Sequence, residues 1–395
     1  MKKLKTLAID LGASSGRGII GGFDGDKITL EEVHRFPNEP VMTNGQFTWD
    51  ILRIFHEIKC ALRKCALGEH KDISSIGIDT WGVDFGLLDK NGHLLGNPVH
   101  YRDARNDGMV EYAFRTMPRE KLDDITGIQF IDFNTLFQLL AVQKDNPEIL
   151  AAAKDMLFIP DLLAYFLTGK KQTEYTIAST GQLLDARTGK WSEEIIKTFG
   201  LPRGIFGDIV APGTVCGTLL PQVKEEVGAL SAKVISVAAA TDKFIFISSG
   251  TWSIMGTETK APVVTDASQR HNFTNEGGYG NTIRFSKNIT GLWLEQESRR
   301  QWEREGEKFT YPELTALARE AAPLCSFIDP DDARFSTPGN LPKRIAEYCA
   351  ETNQPVPETK GEIVRCILES LAMKYRYTVD AIDEMCGERM PAIHI

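Results

Sequence analysis

Thr6-Leu7-Ala8-Ile9-Asp10-Leu11-Gly12-Ala13-Ser14-Ser15-Gly16-Arg17-Gly18-Ile19-Ile20-Gly21-Gly22-Phe23, near the head of the 395-residue sequence, sets the topology that the later segments join. Thr6 to Asp10 is a short apolar strand, and Gly12 to Arg17 is a polar, glycine-bearing turn. Gly18 to Phe23 is a second strand, and Gly25-Asp26 closes a further hairpin into Ile28-Thr29-Leu30-Glu31-Glu32-Val33. The result is an antiparallel β meander. A Rossmann opening is excluded, because a strand follows the loop where a helix should begin.

Outward from this meander, the pattern alternates between helix and strand. Trp49, Ile51, Leu52, Ile54, Phe55, Ile58 and Leu62 form an apolar stripe with Asp50 at its N-terminal turn, which predicts a helix. Ser75 to Thr80 and Val83 to Leu88 read as strands, the second closed by Asp89-Lys90-Asn91-Gly92. Residues 109–170 read as mostly helical, with a stop at Gly169. These pieces assemble naturally into a mixed α/β domain. A second β region starts near Lys233, with strands at Val234 to Ala238, Phe244 to Ser248 and Trp252 to Gly256. Ser249-Gly250-Thr251 forms its turn, echoing the plan of residues 6–22. Glu362 to Glu384 is the clearest helix, with Gly387 as its stop. Pro391 to Ile395 is an apolar strand with no turn or polar tail behind it, which suggests that more chain follows in the whole protein.

The length suits two or three domains. Charged residues make up 25% and the formal net charge is −9, which argues against a broad nucleic-acid-binding face. No apolar run approaches the ~20 residues that span a bilayer, and Asp10 interrupts the only signal-like start. The seven cysteines are scattered without metal-ligand spacing, which points to reduced thiols in the cytoplasm rather than zinc or disulfides.

Five stretches have chemistry. In Asp10 to Arg17, glycines let backbone N–H groups approach an oxyanion, Ser14 and Ser15 add hydroxyl donors, and Arg17 adds fixed positive charge. Asp10 can hold a metal-bound water. The bland alternative is a hairpin turn. Asp79-Thr80-Trp81-Gly82-Val83-Asp84 offers carboxylates and an indole suited to a sugar, or else a core tryptophan beside two solvated aspartates. Tyr101-Arg102-Asp103-Ala104-Arg105 is polar and aromatic, and alone would be a salt-bridge network. Ser248-Ser249-Gly250-Thr251-Trp252-Ser253 is a hydroxyl-rich turn suited to phosphate. In Lys287 to Gln296, Asn288 is placed to cap a helix beginning near Thr290, with Gln296 along that helix.

Together these strings resemble the FGGY carbohydrate kinase family, and most closely its members that act on L-rhamnulose. Further carriers of the likeness are Gly127-Ile128-Gln129-Phe130, Phe133-Asn134-Thr135-Leu136 and Thr274-Asn275-Glu276-Gly277-Gly278, and the similarity runs from residue 4 to residue 395. The resemblance implies an α/β, two-domain actin-like ATPase (ribonuclease H-like) fold with a central cleft. The N-terminal sugar-binding and phosphate-loop domain would span 1–238. The C-terminal nucleotide-binding domain would span 239–395 and be incomplete. It implies transfer of the γ-phosphoryl group of ATP, with magnesium (Mg2+), to the 1-hydroxyl of L-rhamnulose. Ala13, Ser14, Ser15, Gly16, Arg17, Thr251 and Gln296 match its ATP contacts. Gly82 and Asn288 match substrate contacts, Asp84 lies on the sugar side, and Asp10 is the candidate for magnesium through water.

Two departures accompany the likeness. The family's general-base aspartate sits in a Gly/Ser-His-Asp-Thr string, whereas here Val237-Ala238 runs directly into Ala239-Ala240-Thr241-Asp242. Asp242 does not match the missing position, so no general base is assigned. The Gly-Gly-Gly turn and adenine segment that the family places later are not in the sequence either. If these segments are truly absent, the expectation is a sugar- or nucleotide-binding protein without turnover. Another FGGY kinase, acting on a different ketose or a polyol, is the enzymatic alternative.

Overall fold

The computed structural model describes residues 4–228, 230, 232–236, 245–387, 389–390 and 393–394. Two compact units emerge. The first is residues 1–241 with 260–262 and 275–283; the second is residues 242–259, 263–274 and 284–395. The 238/239 boundary expected from sequence lies outside the described residues.

The first unit is built on a six-stranded sheet. Its order is Val215–Thr218, Lys233–Ser236, Ser75–Thr80, Leu4–Leu11, Ser15–Phe23 and Ile28–Pro37. Leu4–Leu11, Ser15–Phe23 and Ile28–Pro37 form the expected antiparallel meander. Ser75–Thr80 joins Leu4–Leu11 in parallel, with Asp10 opposite Asp79. Lys233–Ser236 then pairs in parallel with Ser75–Thr80. That corrects one expectation: this strand completes the first sheet instead of opening a second meander. Its periodicity fits either site, and only tertiary pairing selects one. The helix Ile51–Leu67 starts where Asp50 accepts from Arg53 N, and buries Ile51, Ile54, Ile58 and Leu62 against the sheet. Leu52, placed in the apolar stripe, is 62% exposed, because it points off the buried face.

A second apolar core in this unit gathers Leu136, Leu139 and Leu140 of the helix Thr135–Asp145 with Phe85, Phe137 and Phe158. The strand expected from Val83 starts only at Phe85 and pairs with Asp155–Phe158. Val83 has φ of 66° and Asp84 turns inward, so neither continues the strand.

In the second unit, Ile283–Thr290, Trp252–Thr259, Ile245–Ser249 and Ile393–His394 lie side by side in that order. Ile245–Ser249 and Trp252–Thr259 form an antiparallel hairpin, and Ile393–His394 flanks it in parallel. Each unit therefore has the strand, turn and strand whose echo was read from the sequence, and in each the first strand also carries a parallel neighbour. The long helix Lys360–Cys386 begins with a Thr359–Glu362 capping box and stops at Gly387, whose φ is 68°. Among the described residues, no helix is long and apolar enough to cross a membrane.

Candidate active site

The first hairpin turns within Gly12, Ala13 and Ser14, a tighter bend than the sequence suggested. Ser15, Gly16 and Arg17 already belong to the second strand. Gly12 N donates to Ser15 O at 2.9 Å and closes the turn. Asn38, buried after the third strand, holds it from outside: its N donates to Ser14 O at 3.0 Å and its Nδ2 to Gly12 O at 2.8 Å. With two carbonyls so occupied, Ser14 and Ala13 project at the bend, and Ser14 is exposed. Asn38 is a residue that the sequence reading missed, since a single asparagine beyond a strand has no periodic signature.

Gly16 has a role other than close approach to an oxyanion. A Cβ there would sit 2.2 Å from Phe36 Cζ and 2.8 Å from Leu11 Cδ2. The glycine lets the strands pack under the turn. Arg17 faces Asp10 across the strands and forms a half-exposed ion pair with it. Register places Asp79 beside Asp10 on one flank and Arg35 beside Arg17 on the other. One face of the sheet thus presents two carboxylates followed by two guanidinium-bearing positions across four adjacent strands.

The Trp81-Gly82-Val83-Asp84 stretch forms a strained bend. Val83 is β-branched with φ of 66°, a conformation such residues rarely adopt. It is held from two sides. Val83 N donates to Thr180 Oγ1 at 3.2 Å, and Thr135 Oγ1 donates to Val83 O at 2.7 Å. Gly82 faces Thr180, whose Oγ1 would lie 3.2 Å from an added Cβ. Asp84 is only 1% exposed, against the alternative of a solvated aspartate. Its carboxylate accepts from Trp49 Nε1 (2.6 Å), Trp81 Nε1 (3.0 Å), Tyr101 N (3.2 Å) and Gln138 Nε2 (2.7 Å). Burial pushes its pKa up to about 6 against the bonds from Trp49, Gln138 and Trp81 and the nearby Arg105 charge. Asp84 therefore fixes two indoles and the end of the strained bend.

Two more of the resembling strings meet in this unit. Asn275 donates from N and from Nδ2 to Gly127 O, each at 2.9 Å. Gly277 N donates to Ser179 Oγ at 2.7 Å. Gly277 is pressed on Tyr175, whose Cε1 would be 2.3 Å from an added Cβ. The distance in sequence, 148 residues for Asn275 and Gly127, hides this pairing from any local pattern.

In the second unit the hydroxyl-rich turn docks on the start of the helix Trp293–Arg304. Gly250 N donates to Trp252 O, Leu292 N to Gly250 O and Trp293 N to Thr251 O. Thr251 Oγ1 donates to Gln296 Oε1 at 3.1 Å, so the two expected nucleotide contacts are direct neighbours. Gly291 makes this approach possible, since a Cβ would fall 2.6 Å from Ser253 Oγ and 2.7 Å from Ser253 N. Asn288 lies inside the strand Ile283–Thr290 and not at a helix cap; the helix begins at Trp293, after Leu292. Beside it Lys287 is buried and donates to His271 O at 2.7 Å, and burial pulls its pKa down to about 8. Asp242 lies outside the described residues.

A further group of metal-type donors among the described residues, His34, Glu57 and Cys60, is already engaged. His34 bonds Glu57 at 2.7 Å and Lys64 at 3.0 Å, and Arg53 pairs with Glu57. Asp10 and Asp79, neighbours in register, offer hard carboxylate oxygens of the kind a hydrated magnesium ion takes, with Asp10 also paired to Arg17.

Residues 5–246 match the model of the N-terminal domain, and residues 245–395 that of the C-terminal domain, of the FGGY family of carbohydrate kinases. The chain is 44% identical to a rhamnulokinase of Bacteroides thetaiotaomicron, over 100% of this chain and 82% of that one. It is 42% identical to a rhamnulokinase of Oceanobacillus iheyensis, over 98% of this chain and 84% of that one. Among solved structures, a gluconate kinase from Lactobacillus acidophilus superposes with a TM-score of 0.77 at 16% identity, covering 99% of this chain and 80% of that one. Two domain models that together cover residues 5–395, with relatives 42–44% identical over nearly the whole chain, place this chain in the FGGY family of carbohydrate kinases.

Proposed function

We propose that this chain transfers the γ-phosphoryl group of ATP to the 1-hydroxyl of L-rhamnulose, giving L-rhamnulose 1-phosphate. The observation that carries the choice of sugar is the identity of 37–44% to rhamnulokinases over nearly the whole chain. Residues 1–238 would bind the sugar and present the phosphate loop, and residues 239–395 would bind the nucleotide. With no helix suited to a membrane among the described residues, and with ATP as substrate, the cytoplasm is the proposed site of action.

Phosphoryl transfer asks the protein for alignment and charge stabilisation more than for covalent chemistry. Backbone N–H groups of Ala13 to Arg17, with the Ser14 and Ser15 hydroxyls, would take phosphate oxygens. Arg17 would offset their charge without titrating. Asp10 would hold magnesium through water; when bound, that ion neutralises charge on the phosphate oxygens. Thr251 and Gln296 would contact the nucleotide, each already oriented by the other. Gly82 and Asn288 would contact the ketose, and Asp84 would hold Trp81 in place as an apolar wall for the sugar ring. No residue is assigned as acceptor of the hydroxyl proton.

A coupled assay of ADP release tests this, with L-rhamnulose, L-xylulose and glycerol at equal concentration. The expected result is turnover of L-rhamnulose well above the other two. Equal or faster turnover of L-xylulose or glycerol overturns the choice of sugar. Binding of L-rhamnulose and ATP with no ADP release would place the protein among non-catalytic relatives.

A further inference from the structure

The stretch Tyr101 to Arg105 has no part in the transfer just described, yet Arg105 sits where an arginine is costly. It lines a cavity of about 190 Å³ within the first unit, together with the apolar side chains of Phe85, Leu87, Val142 and Ile149 and the amides of Asn97 and Asn146. Its guanidinium is largely withdrawn from solvent. Nη2 donates to Gln138 Oε1 at 3.1 Å, whereas Nε is buried with no hydrogen-bond partner among the described residues.

Three carboxylates, Asp103, Asp84 and Asp145, act on the guanidinium through charge, yet none bonds its Nε. Asp103 accepts from Phe47 N at 2.6 Å and from the backbone N of Arg105 at 2.9 Å. Asp84 is saturated by its four donors. Gln138 is also committed, with Nε2 on Asp84 and on Phe133 O at 2.8 Å. A guanidinium in a low-dielectric wall, with donors left over and aliphatic and aromatic surface around it, has the chemistry of a carboxylate receptor. Native proteins rarely leave such a donor unmatched.

We propose that this cavity is a binding site for a small carboxylate with a short apolar body. The carboxylate oxygens would accept from Arg105, with Asn97 and Asn146 at the rim, and the body would lie on Phe85, Leu87 and Val142. The site lies outside the residues given roles with sugar and ATP, so it stands or falls separately from the proposed reaction.

Calorimetric titration of the full chain with benzoate, and with benzyl alcohol as the uncharged counterpart of similar body, tests the site. One benzoate should bind per chain, at least about tenfold more tightly than benzyl alcohol, as expected for a charge-assisted bond in a buried setting. Saturating ATP should leave the benzoate affinity unchanged. Arg105→Met should weaken benzoate at least about tenfold while leaving benzyl alcohol alone. Because a buried arginine can be needed for folding, Ile149→Trp gives a second route: Ile149 is 39% exposed at the mouth, and an indole there should fill the cavity and abolish binding in a folded protein. Absence of benzoate binding, equal affinity for the alcohol, displacement by ATP, or full binding in a folded Ile149→Trp variant would each overturn the site.

Discussion

Replacing His100 with glutamine should remove a large part of the acid sensitivity of the first unit. His100 is 4% exposed and stacks on Trp49, with ring centroids 4.1 Å apart. Its Nδ1 accepts from Arg102 N at 2.9 Å, so the folded ring is neutral. Burial, and secondarily the Arg102 charge, pushes its pKa down to about 2. An unfolded histidine titrates near ~6.5. Below that pH the unfolded chain gains a proton that the folded chain refuses. The contribution of His100 is therefore complete above pH ~6.5 and is lost as the pH falls, at about 1.4 kcal/mol per pH unit. From pH 6.5 to 4.5 the loss amounts to about 2–3 kcal/mol. Asp84 acts in the opposite direction. Its folded pKa is raised to about 6, so its contribution grows as the pH falls through 6 and is complete below the unfolded value near ~3.9. The wild-type profile mixes these slopes, and the variant separates them. Urea unfolding followed by tryptophan fluorescence at half-unit pH steps gives the difference in stability between wild type and His100→Gln. That difference should shrink by about 2–3 kcal/mol between pH 6.5 and 4.5. Parallel curves over the same range would refute the view that His100 is held neutral by its surroundings.

Other perturbations address the two turns and the strained bend. Gly16→Ala forces a methyl group into Phe36 and Leu11; it should cost about 1–3 kcal/mol and lower the melting temperature by several degrees in a thermal scan. Asn38→Ala releases the carbonyl of Gly12, and should raise KM for ATP about fivefold to tenfold with KM for the sugar unchanged, as steady-state kinetics will show. Thr251→Val strips the donor from Gln296 Oε1, and should weaken ATP about threefold to tenfold in direct binding measurements. Thr180→Val removes the acceptor from Val83 N, so the bend relaxes and L-rhamnulose binding should fall about tenfold in a protein that still unfolds cooperatively.

Elements whose signals are local are legible along the chain. Short apolar runs around a glycine-bearing turn marked the Leu4–Leu11 and Ser15–Phe23 hairpin, Asp50 marked a helix start, and the helical period from Glu362 with Gly387 as its stop marked the long helix Lys360–Cys386. Residue types within a few positions of one another also flagged the serine turn, the tryptophan-glycine bend and the Thr251 turn. Features that depend on partners far along the chain emerge only on folding. Lys233–Ser236 reads as an apolar strand in any sheet, and its place beside Ser75–Thr80 comes from pairing across more than 150 residues. Asp84 is acidic in sequence, but Trp49, Tyr101 and Gln138 draw it into the interior and make it a fixed point for indoles. Gly16 read as a phosphate-loop glycine, while its tightest constraint is the Phe36 ring beneath it. Hydrophobic period and turn chemistry act over a few residues, so they are written along the chain. Burial, pKa and strain are set by whichever distant groups the fold brings into contact.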